Sequence, residues 1–229
     1  MKKIKSTLLS LFIGTGMITG VFAQDWPNLK QFQKDNEKVG MPKEGENRVV
    51  FMGNSITIGW LNSRPEFFEG KPYINRGISG QTTPQMLLRF RQDVIALKPK
   101  VVVILAGTND IAGNTGPATL EMIADNIKSM AELANANGIK VIISSTLPAF
   151  DYPWKPGMEP GKKIVSLNQM LKEYSETNGH IYLDYHSAMT DERNGLPKKY
   201  AEDGVHPTIE GYQVMEPMVE QAIQKALSN

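Results

Sequence analysis

Residues 48–60 read Arg-Val-Val-Phe-Met-Gly-Asn-Ser-Ile-Thr-Ile-Gly-Trp. The apolar run over 48–52 predicts a buried strand, since short runs of β-branched and aromatic residues that end at a glycine are typical of strands. Ser55 follows two residues after Gly53, which predicts a serine on a turn at the carboxyl end of that strand. Ligands of open α/β sheets bind outside those strand ends. Ser55 is therefore a candidate reactive residue, provided that a later residue can activate it.

After this stretch, short strand-like runs alternate with helical patterns. The further predicted strands are 73–76, 101–105, 140–145 and 181–184, and the predicted long helices are 82–98, 117–137, 162–178 and 208–227. The run over 101–105 is apolar throughout, which predicts burial on both faces of a parallel sheet. The alternation predicts a three-layer α/β/α sandwich of flavodoxin-like type, with a five-stranded parallel sheet and right-handed crossovers.

The first residues, 1–23, have the pattern of a secretory signal peptide. Three lysines precede a mostly apolar stretch over 8–21, and Ala23 is a small residue at the expected cleavage position. The stretch is short and interrupted by glycines, which favours a cleaved signal over the alternative of an uncleaved anchor helix. We therefore expect export to the periplasm or the extracellular space, without integral membrane association.

The next segment, 24–47, is polar and broken by prolines and glycines. We interpret it as a leader segment that packs on the surface of a main domain, which spans 48–229. Its apolar residues are spaced to line one side of a short helix; they are Trp26, Leu29, Phe32 and Val39.

Composition excludes several kinds of site and partner. The chain has no cysteine, which excludes disulfides, cysteine metal sites and a lipid-modified cysteine. Without residues 1–23, 22 basic residues face 24 acidic ones, a balance that gives no electrostatic basis for binding nucleic acid or an anionic membrane. The remaining chain of about 206 residues suits one domain with a substantial core.

A serine hydroxyl needs a base within hydrogen-bond reach, and the base needs an orienting partner. The chain has three histidines. His180 precedes a predicted strand, at the wrong edge of the sheet, and His186 follows that strand with only Asp184 nearby. His206 follows Asp203 by three residues, a spacing that suits a tight turn in which the carboxylate orients the imidazole. The alternative is that Asp203 caps the last helix while His206 is a solvated loop residue.

Two loops at the same predicted edge offer donors for an oxyanion. Asn109 follows the central strand, and Gly80 follows the second strand, where a glycine lets the backbone approach a ligand closely. Taken singly, each is also a common loop residue. Arg76 and Arg89 face either this site or solvent, and the pattern does not decide between the two.

Together, four short blocks resemble the SGNH hydrolases, also called GDSL-type esterases. The blocks are Gly-Asn-Ser-Ile-Thr (53–57), Gly-Ile-Ser-Gly (77–80), Gly-Thr-Asn-Asp (107–110) and Asp-Gly-Val-His-Pro (203–207), in the family's order. The resemblance covers residue 48 to the C-terminus, and the stretch 75–83 is similar to the platelet-activating-factor acetylhydrolase-like branch. The block differs from the G-x-S-x-G elbow of the α/β-hydrolases, because the residue two after Ser55, residue 57, is threonine and not glycine.

The resemblance implies a site and a reaction. Ser55 corresponds to the nucleophile, His206 to the general base and Asp203 to its orienting acid. The oxyanion hole would comprise the backbone N–H groups of Ser55 and Gly80 and the side-chain amide of Asn109. Members of the family transfer acyl groups to water without a metal or an organic cofactor, so none is expected here.

Asn54 is the one departure from the family's pattern, which usually has aspartate before the serine. Asparagine is nearly isosteric but neutral. We expect Asn54 to replace the aspartate through its carbonyl oxygen, which accepts backbone hydrogen bonds at the turn.

The substrate is less closely defined by the sequence. The loop 147–161 follows the fourth strand and contains Tyr152 and Trp154, which, with Asn54, are candidate substrate-binding residues. The alternative is that these aromatic rings only anchor the loop. An exported, cofactor-free esterase suits removal of small acyl groups, above all acetyl, from carbohydrates. The alternatives are a lysophospholipase or other lipid ester hydrolase, and a non-catalytic glycan-binding module; a flavodoxin-like cofactor binder is disfavoured because 53–59 lacks a phosphate-binding glycine run.

Overall fold

The computed structural model describes residues 24–228. The predicted signal peptide, 1–23, lies outside the described residues, so the export that it implies stays a prediction.

The sheet has five parallel strands, as the sequence predicts. They are β1 (Val49–Gly53), β2 (Tyr73–Gly77), β3 (Val101–Leu105), β4 (Lys140–Ser144) and β5 (Ile181–Leu183), in the spatial order β2-β1-β3-β4-β5. All neighbouring pairs are parallel. Because β1 is followed by β2 on one side and β3 on the other, the strand order reverses next to β1, where ligands bind in such sheets.

Nine α-helices accompany the strands within the described residues. They are α1 (Gln33–Val39), α2 (Ser55–Ser63), α3 (Pro65–Phe68), α4 (Thr83–Asp93), α5 (Thr108–Ile111), α6 (Leu120–Ala136), α7 (Gly161–Thr177), α8 (Tyr185–Met189) and α9 (Ile209–Ser228), with a 3₁₀ turn at Ile95–Leu97. The four long predicted helices correspond to α4, α6, α7 and α9. The short helices α2, α3, α5 and α8 were not predicted.

Both faces of the sheet are covered by helices, which gives the predicted three layers. On β3, Val102 and Ile104 pack into the cluster that includes α4, α6 and α7, while Val101, Val103 and Leu105 face the cluster that includes α2 and α9. Every residue of β3 is buried. The unbroken apolar run is thus explained by burial on two sides, since side chains alternate between the faces of a strand.

The helix α2 begins directly after β1 and is held there by close contacts. Gly77 at the end of β2 has no side chain, and a Cβ at this position would lie 2.3 Å from the backbone nitrogen of Ile58 and 2.8 Å from the backbone oxygen of Asn54. A residue larger than glycine would therefore push α2 away from the sheet.

An aromatic cluster joins α2 to α9 on the outer side of β1. Trp60 stacks on Phe67 with ring centroids 4.9 Å apart and on Tyr212 of α9 at 5.5 Å. The Tyr212 hydroxyl donates a buried hydrogen bond of 2.8 Å to the backbone oxygen of Ile56. This bond fixes the first turn of α2 relative to α9.

The leader segment packs against the domain, but its helix differs from the expected one. Because α1 begins at Gln33, Trp26 and Leu29 precede it and are 41% and 40% exposed. Phe32, just before α1, is buried. The contact is largely polar: the Asn36 side chain donates to Asp93 of α4 at 2.8 Å. The predicted short helix is thus present, and Val39 and the adjacent Phe32 pack inward as the spacing predicted, whereas Trp26 and Leu29 lie before the helix and are exposed.

Replacing Tyr212 with phenylalanine removes one buried hydrogen bond, while the Ile56 carbonyl keeps its place in the helical hydrogen-bond pattern of α2. We expect Tyr212→Phe to lower the free energy of unfolding by about 0.5–1.5 kcal/mol, with a fall in Tm of about 2–4 °C per kcal/mol for a chain of this size. Thermal unfolding followed by circular dichroism measures this. Tyr200→Phe is the matched control, because the structure gives the half-buried Tyr200 hydroxyl no hydrogen bond among the described residues; equal Tm values for the two variants would contradict the assignment.

Candidate active site

The sequence predicted that Ser55 lies on a turn after β1. In the structure it is instead the first residue of α2, directly after that strand. The preceding residue, Asn54, caps the helix: its side-chain oxygen accepts a 3.1 Å hydrogen bond from the backbone N–H of Ile56. This is the expected use of the Asn54 carbonyl, and an aspartate would accept the same bond. Asn54 is 1% exposed, so it supports the serine from beneath and does not contact a ligand in the cleft, contrary to the prediction. Ser55 itself is half-buried.

A chain of hydrogen bonds links Ser55 to His206 and Asp203. The Nε2 atom of His206 lies 3.0 Å from the Ser55 Oγ atom. The Nδ1 atom lies 2.6 Å from Oδ2 of Asp203. Of the three histidines, His206 is the one brought to this serine, and the geometry allows its ring to accept the serine proton while the carboxylate holds the other nitrogen protonated.

Asp203 belongs to a tight turn, and it does not cap the last helix. Its Oδ1 atom accepts hydrogen bonds from the backbone N–H groups of Val205 at 2.9 Å and His206 at 2.8 Å. Gly204 has φ = +78°, a value that glycine adopts without strain. The side chain of Thr208, just before α9, instead accepts the N–H of Gly211 at 3.2 Å. The alternative interpretation of Asp203 as a helix cap is therefore wrong.

The hydrogen bonds around Asp203 also set its protonation state. Partial burial alone would raise the pKa of Asp203. The bonds from the His206 ring and from the backbone N–H groups of His206 and Val205 outweigh burial and hold the pKa below its ordinary value. The carboxylate is therefore ionised at neutral pH, as an orienting group for an imidazole has to be.

The predicted oxyanion donors lie on two adjacent loops. Gly80 is exposed and has φ = +76°, in the loop after β2. Asn109 is buried in α5, directly after β3, and its Nδ2 atom donates a 2.9 Å hydrogen bond to the backbone oxygen of Gln81. A side-chain amide has two N–H donors, so this bond ties Asn109 to the Gly80 loop and leaves the second donor available. Within residues 24–228, neither the Ser55 nor the Gly80 backbone N–H donates to another group.

Asp110, next to Asn109 in α5, fixes the start of α4 relative to α5. The sequence did not predict this role. Its carboxylate accepts from the Thr83 hydroxyl at 2.6 Å and from the Thr83 backbone N–H at 2.9 Å. Burial raises the pKa of Asp110 to about 6, against the lowering effect of the Thr83 hydrogen bonds. These bonds join the start of α4 to α5. From the sequence of Asn109 and Asp110 alone, a structural role for the Asp110 carboxylate cannot be distinguished from a catalytic one.

The loop 147–161 presents one aromatic ring to the site and buries another. Tyr152 is completely buried, and its hydroxyl accepts a 3.1 Å hydrogen bond from Thr108. Trp154 stacks on Tyr152 at 5.0 Å, is 43% exposed, and its ring lies 6.0 Å from the His206 ring. Trp154 therefore lies beside His206, and its role in substrate binding stays a prediction. The Tyr152 side chain anchors the loop, as the alternative interpretation expected.

Two open cavities flank the Asp203–His206 turn. One of about 350 Å³ is lined by Phe150, Arg193, Leu196 and Asp203 among others. The other, about 550 Å³, is lined by His206, Pro207, Ile209 and Glu210 among others. Both mix charged and apolar side chains, so the surface on either side of the Asp203–His206 turn is of mixed polarity.

Arg76 and Arg89, whose orientation the sequence left open, are both buried, at 5% and 0% exposure. Neither faces solvent. They lie behind the loops that carry the candidate site residues, and no sequence signal distinguishes a buried arginine on an amphipathic helix from an exposed one.

Within the described range 24–228, no group of three or more acidic or histidine side chains is arranged to hold a metal ion. Over the same range, no helix is both long and apolar enough to cross a bilayer.

Comparison with known proteins gives concordant matches. The profile of the GDSL-like lipase/acylhydrolase family matches residues 51–214. A crystal structure of a candidate acylhydrolase from Bacteroides fragilis NCTC 9343 has 51% sequence identity and a TM-score of 0.88, and the match covers 90% of this chain and 100% of that one.

Curated relatives are more distant. An acetylxylan esterase of Xylanibacter ruminicola is 26% identical over 225 residues, which cover 82% of this chain and 45% of that protein. The human platelet-activating factor acetylhydrolase IB subunit alpha2 is 30% identical over 135 residues, which cover 57% of this chain and 55% of that protein. The chain thus spans about half the length of these relatives.

The family profile covers most of the chain, including Ser55 and the loops with Gly80 and Asn109, and the fold agrees with that of a solved relative at high identity. The chain belongs to the GDSL-like lipase/acylhydrolase family.

Proposed function

We propose that the protein is a serine esterase that hydrolyses small acyl esters, with Ser55, His206 and Asp203 as its catalytic triad. The observation that carries this proposal is the continuous hydrogen-bonded chain from Ser55 Oγ through the His206 ring to Asp203, with distances of 3.0 and 2.6 Å. Membership of an acylhydrolase family supports the same reaction class.

In the proposed reaction, the Ser55 oxygen attacks the ester carbonyl carbon while its proton passes to Nε2 of His206. The ionised Asp203 stabilises the imidazolium that forms. When the tetrahedral intermediate collapses, the bond to the alcohol oxygen breaks and His206 returns the proton to that oxygen. The acyl group stays on Ser55.

In the second half, a water molecule gives its proton to His206 and attacks the acyl carbon. The bond to Ser55 Oγ then breaks, the serine regains its proton from His206, and the carboxylic acid leaves. In both halves the carbonyl oxygen carries negative charge. We propose that it accepts hydrogen bonds from the Ser55 and Gly80 backbone N–H groups and from the second N–H of the Asn109 amide.

We further propose that the acyl group is small, above all acetyl, and that the alcohol is a carbohydrate. His206 must protonate the leaving alcohol, so the alcohol lies on the side of His206, where Trp154 is exposed. An aromatic face beside polar groups suits the apolar face and hydroxyls of a sugar ring. Among the relatives, an acetylxylan esterase acts on an acetylated polysaccharide by its name. The cavities on either side of the Asp203–His206 turn are of mixed polarity, which suits a polar alcohol such as a sugar.

The reaction class is tested with p-nitrophenyl esters of increasing acyl length. We expect the highest kcat/KM on the acetate and a loss of hydrolysis by about 10⁶-fold in kcat in Ser55→Ala, because removing the nucleophile of a triad removes the covalent route. Ser63→Ala, at the exposed end of the same helix, is the matched control and should keep wild-type rates.

Full activity in Ser55→Ala would refute the triad. Rates that rise with acyl length would favour the lipid ester alternative, for which the acetylhydrolase relative is the precedent. No hydrolysis of any ester would favour the glycan-binding alternative.

The carbohydrate part is tested at Trp154. We expect Trp154→Ala to raise KM for acetylated xylo-oligosaccharides about tenfold, equivalent to about 1.4 kcal/mol, while kcat/KM for p-nitrophenyl acetate stays within about twofold. Trp26→Ala is the control, since Trp26 is similarly exposed but lies in the leader segment. An equal loss on both substrates would contradict a sugar-binding role and indicate that Trp154 supports His206 instead.

A further inference from the structure

Three segments carry the proposed nucleophile and oxyanion donors, and one buried side chain contacts two of them directly. Arg89, on α4, donates from its Nη2 atom to the backbone oxygen of Gly53 at 3.0 Å and to that of Arg76 at 2.9 Å. Its Nε atom donates to the side-chain oxygen of Gln81 at 2.6 Å. Gly53 lies two residues before Ser55, and Gln81 follows Gly80.

The third segment is joined through Gln81. The backbone oxygen of Gln81 accepts the 2.9 Å hydrogen bond from the Asn109 amide. Arg89 therefore holds the side chain of the residue whose backbone orients the third proposed oxyanion donor. A shift of this guanidinium would therefore change the positions of Ser55, Gly80 and Asn109 relative to one another.

The energetics favour a role beyond packing. Arg89 is completely buried, and its fourth partner is Asp93 at 3.1 Å. Burial lowers the pKa of Arg89 to about 10, while Asp93 acts to raise it, so the side chain remains cationic at neutral pH. Because a buried ion pair is often no more stable than apolar residues of the same volume, the arginine is better explained by the directions of its donors. Three of its four acceptors belong to the segments of the proposed site.

The leader segment holds this arrangement from the outer side. The Asn36 side-chain oxygen accepts hydrogen bonds from Nε and Nη2 of Arg76 at 2.9 and 2.7 Å. Its side-chain nitrogen donates to Asp93 at 2.8 Å. The ring of Phe32 lies 4.7 Å from the Arg76 guanidinium and 5.9 Å from that of Arg89. The two arginines are thereby enclosed between α4 and the leader, which lies before the residues that match the family profile.

We infer that Arg89 is a positioning residue of the ester hydrolysis, which sets the relative positions of Ser55 and the Gly80 and Asn109 oxyanion donors. The inference rests on the proposed function. It assigns Arg89 no contact with the substrate, and its effect is exerted through Gly53, Arg76 and Gln81.

The test compares two buried arginines in the whole chain. Arg89→Lys keeps the charge but cannot reach all four acceptors with one ammonium group. Arg48→Lys is the matched control: Arg48 is 3% exposed and donates to Glu46, Gly40 and Leu97 at the opposite, amino end of β1. Both variants should lose thermal stability, so stability alone does not distinguish a structural role from a positioning role.

Steady-state kinetics on p-nitrophenyl acetate separate the two roles, at a temperature at which both variants are folded. We expect Arg89→Lys to lower kcat by about 10²-fold, as for other misplacements of about 1 Å at a reacting group, with KM within about twofold of the wild type. Arg48→Lys should keep kcat within about twofold. A kcat for Arg89→Lys equal to that of Arg48→Lys would overturn the inference.

Two further measurements keep the inference testable if Arg89→Lys does not fold or if the wild type hydrolyses no ester. Gln81→Met removes the bond to Nε of Arg89 together with the 2.8 Å bond from the Gln81 amide to the backbone oxygen of Pro27, and it leaves the other three acceptors of Arg89 in place. It should lower kcat about tenfold; a wild-type kcat would count against the inference. Hydrogen exchange by mass spectrometry needs no activity: we expect faster exchange over 53–57 and 78–82 in Arg89→Lys or Gln81→Met, but not in Arg48→Lys. An inactive wild type with that exchange pattern refutes the proposed function and retains the positioning role, whereas unchanged exchange over both segments overturns the role itself.

Discussion

The parallel register of three strands is the constraint on which the rest of the site depends. β1 lies between β2 and β3, and its last residue, Gly53, is level with Gly77 at the end of β2 and Leu105 at the end of β3. When parallel strands end at the same level, the segments that follow them all begin at the same edge of the sheet. Each of the two loops with candidate oxyanion donors therefore starts one strand spacing from the candidate nucleophile, on opposite sides of it, before any side chain makes a specific contact.

The histidine reaches this edge by a different route, and packing fixes it there. His206 lies in the loop before α9, far along the chain from Ser55. The aromatic contact between Trp60 and Tyr212 and the bond from Tyr212 to Ile56 hold α9 against α2. The Asp203 turn then orients the ring over the short distance that remains. A buried aromatic cluster thus gives the precision that a hydrogen bond of 3.0 Å between His206 and Ser55 requires.

Much of this was predictable, because the deciding signals are local. The five strands are continuous apolar runs, and four blocks mark the site residues in order. Signals that depend on tertiary contacts were missed. The helix α2 mixes β-branched residues with Gly59 and has no clear apolar face, and it forms because Asn54 caps it and the sheet covers it. The burial of Tyr152 and the enclosure of Arg89 depend on partners distant in the chain, such as Thr108 and Gly53, which no local pattern reveals.

In the proposed reaction, Ser55 is a nucleophile that His206 activates, and it forms a covalent intermediate with the acyl group. Peptide mass spectrometry after treatment with a p-nitrophenyl phosphonate, which transfers its phosphonyl group to an activated serine, tests this most directly. We expect one phosphonyl group per chain, attached to Ser55, with loss of ester hydrolysis in proportion to labelling. Labelling at another residue, or hydrolysis that persists after Ser55 is fully labelled, would contradict it.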